Sequence, residues 1–84
     1  MLKAIEKLLN GSATHVGNHR VETTGKVTYY FYHSTAVCTV NTVDGTVKFD
    51  NGGWGTMSTT RAINNYKKYF VDGLGFTVVD TIKG

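Results

Sequence analysis

Proline is absent from this chain, and with it goes the polar, proline-rich composition typical of segments that stay unfolded. Cysteine occurs once, as Cys38, so no disulfide can form within the chain. Cys38 lies in an apolar, threonine-rich run, where a buried thiol behaves as a small hydrophobe, and the expected setting is a reducing cytoplasm. Charge is sparse at 18% of residues, with a net charge of +3. That balance attracts phosphate weakly and falls short of a dedicated nucleic-acid arm. No run approaches the roughly 18 apolar residues of a membrane span, so no membrane partner is expected. The opening "MLKAIEKLLNGSA" has Glu6 and Lys7 inside its apolar pattern and reads as part of the fold, not as a signal peptide.

What is present is an ordinary globular content of 40% hydrophobic and 12% aromatic residues. At this length one domain with one core is expected, over residues 1–84, because so short a chain buries only about 60% of its unfolded surface. Leu2, Ile5, Leu8 and Leu9 recur at helical spacing, predicting a short amphipathic helix over about 2–9 that Asn10-Gly11 stops. Residues 12–25 are polar, with a short edge strand expected around 19–23. The runs "KVTYYFYH" (26–33), "TAVCTVNTV" (35–43) and "TVKFD" (46–50) are dense in β-branched and aromatic residues and read as strands. Asp44-Gly45 suits a tight hairpin turn between the last two.

Alternation along "KVTYYFYH" sends Val27, Tyr29 and Phe31 to one face and Thr28, Tyr30 and Tyr32 to the other. On the next strand Ala36, Cys38 and Val40 are favoured as inward. Ser58, Thr59 and Thr60 offer hydroxyl caps to a main helix over about 59–71, whose apolar positions are Ala62, Ile63, Tyr66, Tyr69 and Phe70. "FTVVDTI" (76–82) alternates as a final strand. The fold class is therefore α+β: an antiparallel meander of four to five strands, one face covered by the long helix and the short amino-terminal one.

Between sheet and main helix lies "FDNGGWGTMSTTR". Gly52, Gly53 and Gly55 supply the dihedrals that a sharp strand-to-helix corner demands, with Trp54 folding back as an apolar lid. On a functional reading the same corner is an anion cradle at the helix start, near Ser58–Arg61, with Arg61 as a fork of donors and Trp54 stacking on a base. The spacing matches neither a phosphate-binding loop with its lysine nor a dinucleotide fingerprint.

The run "VKFDNGGWGTMSTTRAINNY" resembles a widespread, uncharacterised family of small phage and bacterial proteins. Its Gly-Gly-Trp, threonine spacer, Thr-Arg, and Ile/Leu with Asn and an aromatic correspond to Asn51, Gly52, Gly53, Trp54, Thr56, Thr59, Thr60, Arg61, Ile63, Asn64 and Tyr66. The likeness covers about residues 26–72. It implies a phage or phage-derived origin and the strand-corner-helix unit, and no particular activity.

Catalytic chemistry has little to rest on. His15 and His19 are four apart across a poor helix former, Cys38 sits mid-strand without an imidazole partner, and the six carboxylates show no telling pair. The expectation is a protein that is not an enzyme and that holds no cofactor or metal. The favoured function is binding to, and modulating or inhibiting, a host protein in the host cytoplasm, with Trp54 and exposed tyrosines as anchors. The alternative is a nucleic-acid binder, stacking bases on Tyr30 and Tyr32 and reaching phosphates with Arg20, Lys26, Lys48, Arg61, Lys67 and Lys68. Self-association through an open sheet edge, at "TAVCTV" or the last strand, is a variant of the first.

Overall fold

The computed structural model describes residues 1–83. In chain order they form α1 (Lys3–Leu9), β1 (His15–Val16), β2 (His19–Thr24), β3 (Val27–Tyr32), β4 (Thr35–Asn41), β5 (Thr46–Phe49), α2 (Met57–Lys67) and β6 (Thr77–Val78). A π-helical segment, Lys68–Gly73, prolongs α2. The strands make one sheet in sequence order, β1 to β6, and both helices contribute to the core cluster on one of its faces.

The α+β class expected from the sequence is therefore present, while the strand count and pairing differ. Six strands replace four to five, and β6 runs parallel to β5 instead of extending an antiparallel meander. The reason is connectivity: a hairpin returns the chain antiparallel, whereas a crossing helix brings it back to the end where β5 began. Amides of Thr77 and Val79 donate to the carbonyls of Gly45 and Val47, both at 2.9 Å. The alternation of 76–82 overstates a strand only two residues long. The segment around His19 is an edge only in part, since β1 pairs outside His19 and Arg20 while β3 pairs along the whole inner side of β2. β4, carrying "TAVCTV", is paired on both sides, so it presents no open edge, and the outermost strands, β1 and β6, are two residues long.

Register explains which residues are inside. Tyr30 pairs with Cys38 but Phe31 pairs with Ala36, so Val37 is an extra residue on β4, a β-bulge. Two consecutive side chains, Val37 and Cys38, are then buried, while Ala36 is only half-buried. Strict alternation had placed Ala36 inward and left Val37 unassigned. The hairpin after β4 is also looser than a two-residue turn. It spans 42–45, only Gly45 having positive φ (+69°). The buried Asn41 side chain closes it, accepting from the amides of Val43 and Asp44 at 3.0 Å and donating to the Lys83 carbonyl at 2.7 Å.

Helix α2 starts two residues earlier than the hydroxyl-cap pattern predicted. Thr56 is the cap, its Oγ1 accepting from the Thr59 amide at 3.3 Å and bonding the Thr59 hydroxyl at 2.9 Å. Thr59, Ala62, Tyr66 and Phe70 form the buried stripe. The π-helical segment, with Leu74 N–H donating to Tyr69 O at 3.1 Å, carries the helix to Gly73, past the expected end at 71. The Asn65 side chain ties the two helices, accepting from the Leu2 amide at 2.8 Å.

At the centre of the core Tyr30 and Tyr66 pack ring on ring, centroids 4.8 Å apart, with Phe70 5.7 Å from Tyr30 and Phe76 beyond it. Such pairs add about 0.5–1.5 kcal/mol beyond area burial. Burial pushes the phenol of Tyr30 up to about 12 and raises those of the Tyr66 phenol and Cys38 thiol further. Cys38 is thus held as an inert thiol. The Tyr66 hydroxyl is buried without a hydrogen-bond partner, a desolvation cost of about 1–3 kcal/mol. Tyr66→Phe should consequently leave stability unchanged or raise it, while Tyr66→Ala should lower it by about 3–5 kcal/mol. Urea titrations at constant slope read both, and a Tyr66→Phe loss above about 1 kcal/mol would overturn the account of that hydroxyl.

Candidate functional site

Two chain reversals meet at one end of the sheet. The first is the β3–β4 turn, Tyr32-His33-Ser34-Thr35; the second is the glycine-rich corner that leads into α2. Between them lies a half-open cleft of about 430 Å³, walled by Tyr32, His33, Ser34 and Thr35 on one side and Trp54, Thr56, Ser58 and Thr59 on the other. That volume falls in the range of small-ligand sites, about 300–1,000 Å³.

The corner is anchored locally. Asp50 Oδ1 accepts from the Gly52 amide at 2.8 Å, Asn51 Oδ1 from the Gly53 amide at 2.9 Å, and the Asn51 carbonyl from the Trp54 amide at 2.9 Å. Gly52 is required twice over. Its φ is +61°, and a Cβ there would stand 2.7 Å from Thr35 Cγ2, so the corner is pressed onto the floor of the β3–β4 turn. Glycine thus answers to a close approach of the Thr35 side chain that joins the two walls.

Trp54 is 63% exposed. This corrects the expected lid: the indole does not close the core, because Tyr66, Phe70 and the sheet residues already fill it. Met57, at the first position of α2, is 82% exposed. A large aromatic and a large aliphatic side chain therefore stand in water on a braced turn.

The opposite wall is a ladder of rings. His19 lies 4.9 Å from Tyr32, and Tyr32 lies 4.4 Å from His33, centroid to centroid. His33 adopts φ +55°, a left-handed conformation that costs a side chain with a Cβ about 1–2 kcal/mol. Its amide donates to Asn18 O at 2.8 Å, which helps to hold the turn in that shape. His19 Nδ1 is buried without a partner. Burial, and to a lesser degree the neighbouring His33, holds the His19 imidazole below its ordinary value of 6.5.

Of the residues singled out from sequence, the structure brings together only Trp54 and Tyr32. Tyr30, expected as an exposed stacking residue, is sealed in the core. Pleat parity shows which residues share a face, not which face the helices cover. The uncovered face instead carries Tyr29 and Phe31, 6.3 Å apart, with the Arg20 guanidinium 4.2 Å from the Phe31 centroid and paired with Glu22. Arg61 lies with Met57, Asn64 and Asn65 in a neighbouring shallow depression. Lys67 stands 5.6 Å from the Phe49 ring and Lys68 shares a depression with Asp72 and Val71, and neither lines the cleft. Ser58 was anticipated only as part of the helix start, whereas His33, Ser34 and Thr35 were not anticipated as site residues.

Among the described residues no group of three or more His, Cys, Asp or Glu side chains is placed to hold a metal, and no helix is long and apolar enough to cross a membrane. Comparison of the chain with family models, with curated proteins and with solved structures gives no match.

Two measurements test this wall. His33→Gly removes the strained side-chain conformation and should raise stability by about 1 kcal/mol; a loss would show that the imidazole contributes packing worth more than the strain. Because the folded state disfavours the His19 imidazolium, the unfolded chain binds that proton more readily, and stability rises with pH through this group. Its contribution is complete above pH 6.5 and is lost as pH falls below it. Thermal melts in that range should lose this component of their slope in His19→Gln.

Proposed function

We propose that this chain is a small non-enzymatic binding domain that engages a protein partner through the Trp54–Met57 corner. One observation carries the reading: the only tryptophan stands largely in water on a turn that three local hydrogen bonds and a glycine–threonine contact hold rigid. Ordering costs are low for such an anchor, and aromatic residues at the centre of interfaces carry a disproportionate share of binding energy. Arg61, in the depression shared with Met57, supplies a donor fork of the kind enriched at interfaces. The partner we propose is a host protein, modulated or inhibited by occlusion in the host cytoplasm, in line with the resemblance to small phage proteins read from residues 26–72. Lys67 and Lys68 are then solvated positions outside the contact.

Nucleic-acid binding is a second reading, favoured by one feature, the Tyr29–Phe31 pair with Arg20 on the uncovered face. It no longer uses Tyr30. Counterion release makes phosphate-driven affinity fall steeply with salt, whereas an apolar protein contact responds little.

Trp54→Ala decides the main reading. Its melting temperature should match the parent, since exposed substitutions change stability by less than about 0.5 kcal/mol. Binding to a partner captured by the parent protein should weaken by about 2 kcal/mol or more, in a manner insensitive to salt. Equal capture by Trp54→Ala and Met57→Ala would sink the proposal.

A further inference from the structure

The cleft behind Trp54 has a chemistry of its own. Three of its walls are rings, from Trp54, Tyr32 and His33; the remaining lining residues all bear hydroxyls, and none is an acid, a lysine or an arginine. The Thr56 and Thr59 hydroxyls are spent on each other and on the cap of α2. Those of Ser34, Thr35 and Ser58 remain for a ligand. A lining without Asp, Glu, Lys or Arg gives a charged group few partners in return for the hydration it would lose. Stacking surfaces favour a flat ring, and short hydroxyls that both donate and accept suit a ring edge with mixed donors and acceptors. A pyranose could lay a C–H face on one of these rings, but the cleft offers neither side-chain carboxylates nor amides to its many hydroxyls.

We infer that this cleft is a binding site for a nucleobase, stacked between Trp54 and one of the two rings opposite, Tyr32 or His33, which stand at 63° to each other, with its edge toward Ser34, Thr35 and Ser58. The sugar and any phosphate stay outside, toward solvent. The same ring chemistry can come from a free nucleoside or from one unpaired base of a single strand, and base stacking on aromatic side chains is tolerant of base identity. The site is defined by its lining and stands apart from the protein-partner reading.

Trp54 is the sole tryptophan, so its indole N–H gives one NMR resonance that reports the cleft. Titration with thymidine and with adenosine should shift that resonance and the amides of 32–35 saturably. Ser58→Leu, which fills the cleft, should weaken the effect about tenfold, the scale of one lost stacking contact, and Thr35→Val should weaken it less, both at unchanged melting temperature. A short oligothymidylate binding more tightly than thymidine, with an advantage that shrinks in salt, identifies a strand as the source; equal affinity identifies the free nucleoside. Either result supports the site. Absence of any saturable shift, an effect indifferent to Ser58→Leu, or saturation by methyl glucoside but not by nucleosides overturns it. Capture of a protein partner in a Trp54-dependent way, with no nucleoside effect, would sink this inference alone.

Discussion

The contact between Tyr30 of the sheet and Tyr66 of the main helix is the constraint on which the remaining structure hangs. With Phe70 and Phe76 continuing the stack, it presses α2 against the central strands and excludes water from one sheet face. Once α2 is pinned there, its first turn has a single position relative to the β3–β4 turn. The short link from β5 must then turn abruptly, and Gly52 approaches Thr35 closer than any residue with a Cβ permits. Trp54 is outside because the core it was expected to close is already full.

That sequence of consequences separates two kinds of residue in the glycine-tryptophan segment. Gly52, Asp50, Asn51 and Thr56 have structural duties: positive φ, hydrogen bonds to loop amides, and the helix cap. Trp54, Met57 and Ser58 make no such contribution and are exposed. A segment in which rigid structural residues alternate with unspent side chains is the arrangement expected where a fold presents contact groups without relying on them for stability. The strained His33, across the cleft, fits the same pattern, since unfavourable backbone conformations persist where the surroundings impose them.

Much of the fold was legible locally. The helical spacing of Ile5 and Leu8, the strand runs at 27–32 and 35–41, the stop at Asn10-Gly11 and the stripe Ala62, Tyr66 and Phe70 all depend on side-chain periodicity, which the sequence displays directly. Less of the candidate site was. Trp54 was named both as a lid and as a binding residue, and Tyr32 as half of an exposed pair with Tyr30. The partners of Trp54 in the cleft come from a turn about twenty residues earlier, and no spacing rule joins the two.

The amino-acid sequence alone settled the α+β class and the punctuation by glycine, because each follows from composition or from neighbours within a turn or two. Only the tertiary structure decided the parallel sixth strand, the bulge that buries both Val37 and Cys38, the burial of Tyr30 and the exposure of Trp54. These outcomes depend on which face the helices occupy and on how much volume is already filled. Both are set by contacts between residues remote in the chain, where period-two and period-3.6 patterns carry no information.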